Sequence, residues 1–297
     1  KKMSLTNKAG MPAILYEALC SLEANNEHLH NQGWSVTEIL EPTRIAVLKK
    51  KYAPKLEIDA IDQMASALGT AVHILLEQGH KGKEDLGIFV EKKVNLEING
   101  VILSGKIDYY NQNDELIVDY KYQNVQSWVN IQDKLDYPTW QLNLYKYLLH
   151  KNNYPVKHLQ VLFIFKDFRE YEAGKFKSYP ETLWKLINIE SKPEEEIEYF
   201  VTTRLTELEY YRQLPEKDLP PCSYKDKWQK PDSYDVCKNG KSIHSFLNEE
   251  YAYTFMQRNN LDSSYEIVKT VNKPKRCERY CPVKDICSQY LKECQNG

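Results

Sequence analysis

Leu116-Ile117-Val118-Asp119-Tyr120-Lys121 is the stretch on which the fold turns. An apolar run leads into an acid, and a lysine follows two residues later. Side chains two apart on a strand point to the same face. Asp119 and Lys121 therefore stand side by side. One is a carboxylate able to hold a hard cation; the other is an ammonium able to orient a water or neutralise developing charge. Asp108 lies on what reads as the preceding strand, so two carboxylates can reach one ion from neighbouring strands. Phosphodiester hydrolysis uses that pairing. Taken alone, Asp-x-Lys is more often a surface salt bridge than a catalytic site.

Working outward, Asn99-Gly100 is a two-residue hairpin signal, and Asn111-Gln112-Asn113-Asp114 is a second turn. Strands are expected over 87–98, 100–110 and 115–123. Ile58, Ile61, Met64, Ala65, Leu68, Val72, Leu75 and Leu76 recur at helical spacing and predict a helix over 57–80. Gly69 within it suggests close packing or a break. His73 and Glu77 share one face of that helix. A neutral imidazole can be a further metal ligand, and Glu77 can orient it or line the site. By itself, a histidine on a mostly apolar helix is more often a satisfied core residue. A helix over 138–150 starts at Pro138 and brings Gln141 and Tyr145 to one face, where both can hydrogen-bond. Tyr145 fits a core stripe equally well.

A buried strand is expected over 158–165. A helix over 193–213 opens with Pro193 and three glutamates, whose charge suits a helix N-terminus. Ser35 and Glu38 have capping-box spacing. Pro215, Pro220 and Pro221 mark a boundary. The expected organisation is a core over 1–214 with an N-terminal helical segment, and a cysteine-bearing portion over 215–297 packing on it. The fold class is α/β, with a small mixed central sheet flanked by helices.

The chain has 297 residues, 42% hydrophobic and 28% charged, which suits a globular protein. No apolar run is long enough for a membrane span. The basic start, Lys1-Lys2-Met3-Ser4, leads into no apolar signal core, so an intracellular, cytoplasmic location is expected. A net charge of −2 is unlike a non-specific nucleic-acid coater. It permits a nuclease whose positive charge is confined to one groove. Arg44, Lys106, Lys166 and Arg169 are candidate phosphate partners, and Trp128 and Trp140 candidate stacking platforms. Each is more often structural or solvated. Lys49-Lys50-Lys51 with Lys55 reads as a solvated helix end.

Seven cysteines are present, and Cys277, Cys281, Cys287 and Cys294 crowd the end of the chain. The count is odd and no secretion signal is visible, so metal binding is expected rather than a disulfide framework. Cys277-x₃-Cys281-x₅-Cys287 with one distant cysteine satisfies Zn²⁺. The x₃ spacing departs from the usual zinc-ribbon pattern, and Cys-Pro also ends a common iron–sulfur run.

The ordered set Gly69-x-x-x-His73, Asp108, Asp119-Tyr120-Lys121 and Gln141-x-x-x-Tyr145 resembles the RecB-like branch of the PD-(D/E)XK nucleases, which includes phage-encoded exonucleases. The resemblance implies a restriction-endonuclease-like core. It also implies that His73, Asp108 and Asp119 bind Mg²⁺ or Mn²⁺, that Lys121 is catalytic, and that Gln141 and Tyr145 support it. Glu77 is a further member of the set. The family's proline is absent, since Ile107 precedes Asp108. In the resembling nucleases three C-terminal cysteines join a distant one around a [4Fe–4S] cluster. Carried over, Cys277, Cys281 and Cys287 are cluster ligands, with Cys222 the first choice for the fourth and Cys20 the second; Cys237 and Cys294 are not ligands.

The implied function is a metal-dependent deoxyribonuclease, an exonuclease acting on single-stranded DNA or duplex ends in recombination or end processing. If phage-encoded, it works in the host cytoplasm. Two alternatives stand beside it. One is a DNA-binding or assembly factor that keeps the fold without cleavage. The other is a cysteine-metal regulatory protein with a fortuitous Asp-x-Lys.

Overall fold

A computed structural model describes residues 4–25, 33–129, 131, 135–175 and 178–295. The chain divides into two compact units, Lys1–Glu41 with Lys50–Leu214, and Pro42–Lys49 with Pro215–Gly297.

The first unit is built on a mixed sheet. Its strands are β2 (Gly33–Ser35), β4 (Ile88–Ile98), β5 (Val101–Asn111), β6 (Leu116–Gln123), β7 (His158–Phe165) and β8 (Trp184–Asn188). The order is β2-β5-β6-β7-β8, with β4 also paired to β5. Asn99 and Gly100 have φ of 51° and 80°. Positive φ at both turn residues lets the hairpin follow the strand twist, and it sets Ile98 opposite Val101. β6 and β7 run parallel, with α5 (Val125–Val129) and the crossover helix α6 (Asp136–Lys151) between them in the chain.

Burial follows the sequence periods in β7 and in the helices over 136–151 and 194–213, whereas Ile61, Leu68 and Leu75 of the apolar set expected over 57–80 are exposed. β7 alternates, with Leu159, Val161, Phe163 and Phe165 buried. α6 buries Leu142, Leu144, Leu148 and Leu149, and α7 (Glu194–Gln213) buries Ile197, Val201, Leu205 and Leu208. Gly105 on β5 makes the close approach of α6 possible. A Cβ there would lie 2.9 Å from Leu148 Cδ1 and 3.1 Å from the Tyr145 ring.

The expected strands and helices are all present, with three differences. Residues 57–59 are not helix: they form β3 (Glu57–Asp59), which pairs with β1 (Ser4–Thr6), and Asp59 then caps α4 (Ala60–His80). Gly69 neither breaks α4 nor packs closely, since among the described residues nothing beyond its own helix backbone and chain neighbours lies within 4 Å of where its Cβ would be. The lysine run at 49–51 is not a solvated helix end. Lys50 donates to the Gly33 carbonyl, lies 3.6 Å from Glu38, and sits 4.4 Å over the Trp34 ring. Lys51 donates to the Leu214 carbonyl. Burial lowers the Lys50 pKa, and Glu38 only partly opposes that.

At the start of the sheet, Ser35 caps α2 (Val36–Ile39) in the expected capping box with Glu38. Trp34, fully buried, donates its indole N–H to Glu209 of α7 at 2.7 Å.

The second unit holds a three-stranded antiparallel sheet of β9 (Ser233–Lys238), β10 (Lys241–Phe246) and β11 (Tyr265–Thr270), with β9 central. Asn239-Gly240 turns its hairpin with positive φ at both residues. α8 (Glu249–Arg258) packs on it through Ala252 and Phe255, the latter stacked on His244 at 4.9 Å. After it come α9 (Lys275–Arg279) and α10 (Ser288–Gln295). Helix α3 (Thr43–Tyr52) gives Thr43–Lys49 to this unit. Among the described residues, no helix is long and apolar enough to cross a membrane.

Candidate active site

Asp108 sits where the β5 ladders are interrupted. On one side β4 is registered to β5 at Val90–Tyr109 and again at Lys92–Ile107, leaving out the Glu91–Asp108 step. On the other side the β5–β6 register reaches Tyr109–Val118, one step before Asp108 and Asp119 would meet. The Asp108 carboxylate instead accepts the Tyr120 backbone N–H at 2.8 Å. The missing pairs mark a break in the sheet at this point.

To that break α4 brings His73. Its Nδ1 lies 3.4 Å from Asp108 Oδ1 and 3.8 Å from Glu91 Oε1, and its ring meets Tyr120 edge-on at 5.6 Å. His73, Glu91 and Asp108 offer ligand atoms all within 4.8 Å of one another. Burial pulls the His73 pKa down. Hydrogen bonds and charge from Asp108 and Glu91 outweigh it and raise the pKa to about 10. Glu91 is held below the usual carboxylate range: burial opposes this, but His73 and its ion pair with Lys106 prevail.

Asp119 and Lys121 do share a face. Lys121 Nζ lies 2.7 Å from Asp119 Oδ2 and donates to Gln141 Oε1 at 2.9 Å. Gln141 in turn donates to the Tyr145 hydroxyl at 3.2 Å. α6 therefore positions the lysine through an amide held by a phenol. Asp119 is 3% exposed, and its Oδ2 has the lysine contact but no hydrogen-bond donor in good geometry. Burial raises its pKa to about 6; Lys121 counters this and Asp108 adds to it. A buried carboxylate paired with a lysine, beside three clustered ligands, suits a hard divalent cation.

The structure thus gathers His73, Asp108, Asp119, Lys121, Gln141 and Tyr145. Glu77 lies one turn beyond His73 on α4; among the described residues its side chain makes no hydrogen bond or ion pair with the group. Glu91 is the residue the sequence reading missed. It has φ +50°, unusual for a side chain larger than glycine. The signal for it was present. With Ile98 opposite Val101, counting back along the hairpin sets Glu91 opposite Asp108.

The candidate nucleic-acid contacts fare differently. Arg44 is no phosphate ligand: it is 4% exposed and paired with Glu216. Lys106 is paired with Glu91, and Arg169 with Glu172 at 3.3 Å; Lys166 is exposed. Trp128 packs edge-on against Phe163 and Phe165, and Trp140 lies 4.4 Å from the Phe200 ring. Both tryptophans serve packing.

In the second unit Cys222, Cys277, Cys281 and Cys287 line one pocket with Arg44, Asp226, Lys227, Lys284 and Glu293. Cys281 and Cys287 are buried. Burial first, then neighbouring acid and thiol groups, push Cys222 up to about 12 and Cys277 up to about 11. These four cysteines are the residues that could hold zinc or an iron–sulfur cluster, though among the described residues no three of their sulfurs lie within 4.8 Å of one another as the His73–Glu91–Asp108 ligand atoms do. Cys20 lies on α1 (Ala13–Asn25) beside the Tyr16 hydroxyl, and Cys237 is in β9. The Cys294 side chain lies outside the described residues.

Residues 82–288 match a family model described as the PD-(D/E)XK nuclease superfamily. No curated protein matches the chain significantly. Among solved structures, the chain is similar to a protein crystallised under the name SSO0001, at 20% identity over 66% of this chain and 87% of that one, with a TM-score of 0.47. It is also similar to a phage related exonuclease from Haemophilus somnus 129PT, at 14% identity over 62% and 96%, with a TM-score of 0.39. Neither score reaches 0.5, and neither bears on activity.

Proposed function

Since the chain belongs to the PD-(D/E)XK nuclease superfamily, we propose that it is a Mg²⁺- or Mn²⁺-dependent deoxyribonuclease that hydrolyses phosphodiester bonds from DNA ends. The observation that carries this reading is Lys121, held between Asp119 Oδ2 and Gln141 Oε1 beside the His73–Glu91–Asp108 group. His73, Asp108 and Asp119, with Glu91, are the residues to hold the ion. When bound, it supplies Lewis-acid polarisation of the phosphate and lowers the pKa of a bound water.

The remaining work belongs to the chain. Asp108 is aimed by the Tyr120 N–H. Lys121 orients the attacking water and neutralises charge gathering on the phosphate. Gln141 restrains the ammonium, and Tyr145 restrains Gln141, so Lys121 reaches one position rather than sampling several. Glu77, one turn along α4 and, among the described residues, without a bond to the group, is the member of the set with least support.

The finer reading rests on the order of the motifs in the sequence. It comprises exonucleolytic action on single strands or duplex ends, a role in recombination or end processing, phage origin and a cytoplasmic setting. The cysteine-lined pocket is read as the seat of a [4Fe–4S] cluster, with Zn²⁺ the competing occupant, and Cys222 as the fourth ligand.

End-labelled single- and double-stranded DNA, incubated with Mg²⁺ or Mn²⁺ and with EDTA, tests the activity. Lys121→Ala is expected to abolish cleavage while leaving fold and DNA binding largely intact. Full activity of that variant at matched metal concentration would overturn the assignment. A visible band near roughly 400 nm in anaerobically purified protein distinguishes cluster from zinc.

A further inference from the structure

Arg44 lies far in sequence from every tail cysteine, yet it lines their pocket. Its guanidinium ties together the two segments that carry Cys222 and Cys287. Nη1 donates to the Leu219 carbonyl at 2.8 Å, three residues before Cys222. Nη2 donates to Ser288 Oγ at 3.1 Å, next to Cys287, and pairs with Glu216. Glu216 Oε1 accepts from Ser288 N at 3.1 Å and from its Oγ at 2.9 Å. One nitrogen is left over. Arg44 Nε is buried and has no hydrogen-bond partner among the described residues.

A buried N–H without an acceptor is costly and rare, and an unseen ligand is one of its few explanations. The other cation buried at the pocket, Lys227, is neutralised by Glu293 at 2.8 Å. Four thiolates around Zn²⁺ or around a [4Fe–4S] core make a net dianion. Such a centre needs N–H donors and positive charge around its sulfurs.

We propose that Arg44 is the counter-cation of the cysteine-bound metal centre, its Nε–H donating to a sulfur of that centre, a role distinct from the hydrogen bonds its other nitrogens make to the segments bearing Cys222 and Cys287. This rests on the reading of the four cysteines as ligands. It gives Pro42–Lys49 a role in the second unit that no cysteine in that stretch would suggest. Glu216 sets the direction of the test. If Arg44 acts only as a structural clamp, breaking the clamp from either side has the same effect. If Arg44 acts on the centre through charge and N–H, removing the Glu216 charge leaves the centre at least as firmly held.

The experiment uses the full chain, purified anaerobically, with iron, sulfide and zinc measured first. Metal loss is then followed in excess EDTA, by the visible band for a cluster or by a zinc-binding dye for zinc. Arg44→Lys and Arg44→Gln are expected to lose metal about 10–100-fold faster, the usual cost of removing an outer-shell partner. Glu216→Gln is expected to lose it no faster than wild type. With a cluster present, the midpoint potential is expected to fall in Arg44→Gln and not in Glu216→Gln. Circular dichroism confirms that each variant folds; a variant that misfolds is replaced by Arg44→Met in the same comparison. Unchanged release from both Arg44 variants overturns the proposal but leaves the cysteine reading standing. Equal acceleration in Glu216→Gln overturns it in favour of a clamp. Wild-type protein without metal, indistinguishable from a Cys277→Ser variant, overturns both.

Discussion

Metal binding at the active site should displace a proton from His73. In the metal-free protein Asp108 and Glu91 raise the His73 pKa to about 10 despite burial. At pH 7.5 only about one molecule in 300 then has a neutral imidazole, the form able to ligate. An ordinary histidine at that pH would be about nine-tenths neutral. Affinity for Mn²⁺ should therefore climb about tenfold per pH unit, roughly 1.4 kcal/mol per unit. Between pH 6.5 and 8.5 the gain is about a hundredfold. Below pH 6 the slope should steepen, because Asp119, raised to about 6 mainly by burial, then also gives up a proton. Isothermal titration calorimetry in two buffers of different ionisation enthalpy counts the protons directly. About one proton released per ion at pH 8 is expected, and His73→Asn should remove most of it. An affinity equal at pH 7 and 8.5, or near-zero proton release, would refute the reasoning. The same pKa has the opposite consequence for folding. A histidine raised in the folded state stabilises fully below its unfolded pKa, and that stabilisation is lost as pH rises through about 10. The raised Asp119 pKa likewise stabilises only at low pH, and that contribution is lost as pH rises through about 6. Metal-free protein should thus melt at lower temperature at pH 9 than at pH 6.

Gly105→Ala should cost about 1–3 kcal/mol in urea unfolding, because the new methyl meets Leu148 at 2.9 Å and the Tyr145 ring at 3.1 Å; it should also slow cleavage by shifting the helix that steadies Lys121. Gln141→Ala should lower the cleavage rate more than Tyr145→Phe, since the amide touches Lys121 and, among the described residues, the phenol hydroxyl bonds the amide; single-turnover assays in which Tyr145→Phe is the worse enzyme would contradict that chain of contacts. Glu91→Gln should weaken Mn²⁺ binding by about tenfold and bring the His73 pKa down, as seen by NMR titration of the ring; an unmoved His73 would remove Glu91 from the site. Trp34→Phe loses a hydrogen bond to a charged acceptor, about 1.5–3 kcal/mol of stability, with cleavage per folded molecule unchanged.

Much of the first unit could be read from short-range patterns. Alternation along 158–165, helical spacing in α4 and α6, and the Asn99-Gly100 turn depend on neighbours a few residues away. The structure agrees with them to within a residue or two, except where β1 recruits 57–59 into a strand pair. What failed to show depended on distant partners. A lysine run looks solvated until a tryptophan and a carbonyl from another segment close over it. Arg44 looks like a phosphate ligand until Glu216 and Ser288 surround it.

By itself the sequence determined strands β4 to β7, the register of the Asn99-Gly100 hairpin, and the pairing of Asp119 with Lys121 on one face, because a strand's period of two is a property of the backbone alone; β8 and the three strands of the second unit were not read from it. It also determined which residue types were on offer for a metal. Only the tertiary structure decided who meets whom. Interrupted ladders on both sides of β5 broke the sheet at Asp108, α4 delivered His73 there, and Glu91 joined them across the hairpin. In the second unit, packing alone placed an arginine from near the start of the chain beside four cysteines from near its end. Local patterning constrains direction and period, whereas the distances that make a ligand set are set by how whole elements pack.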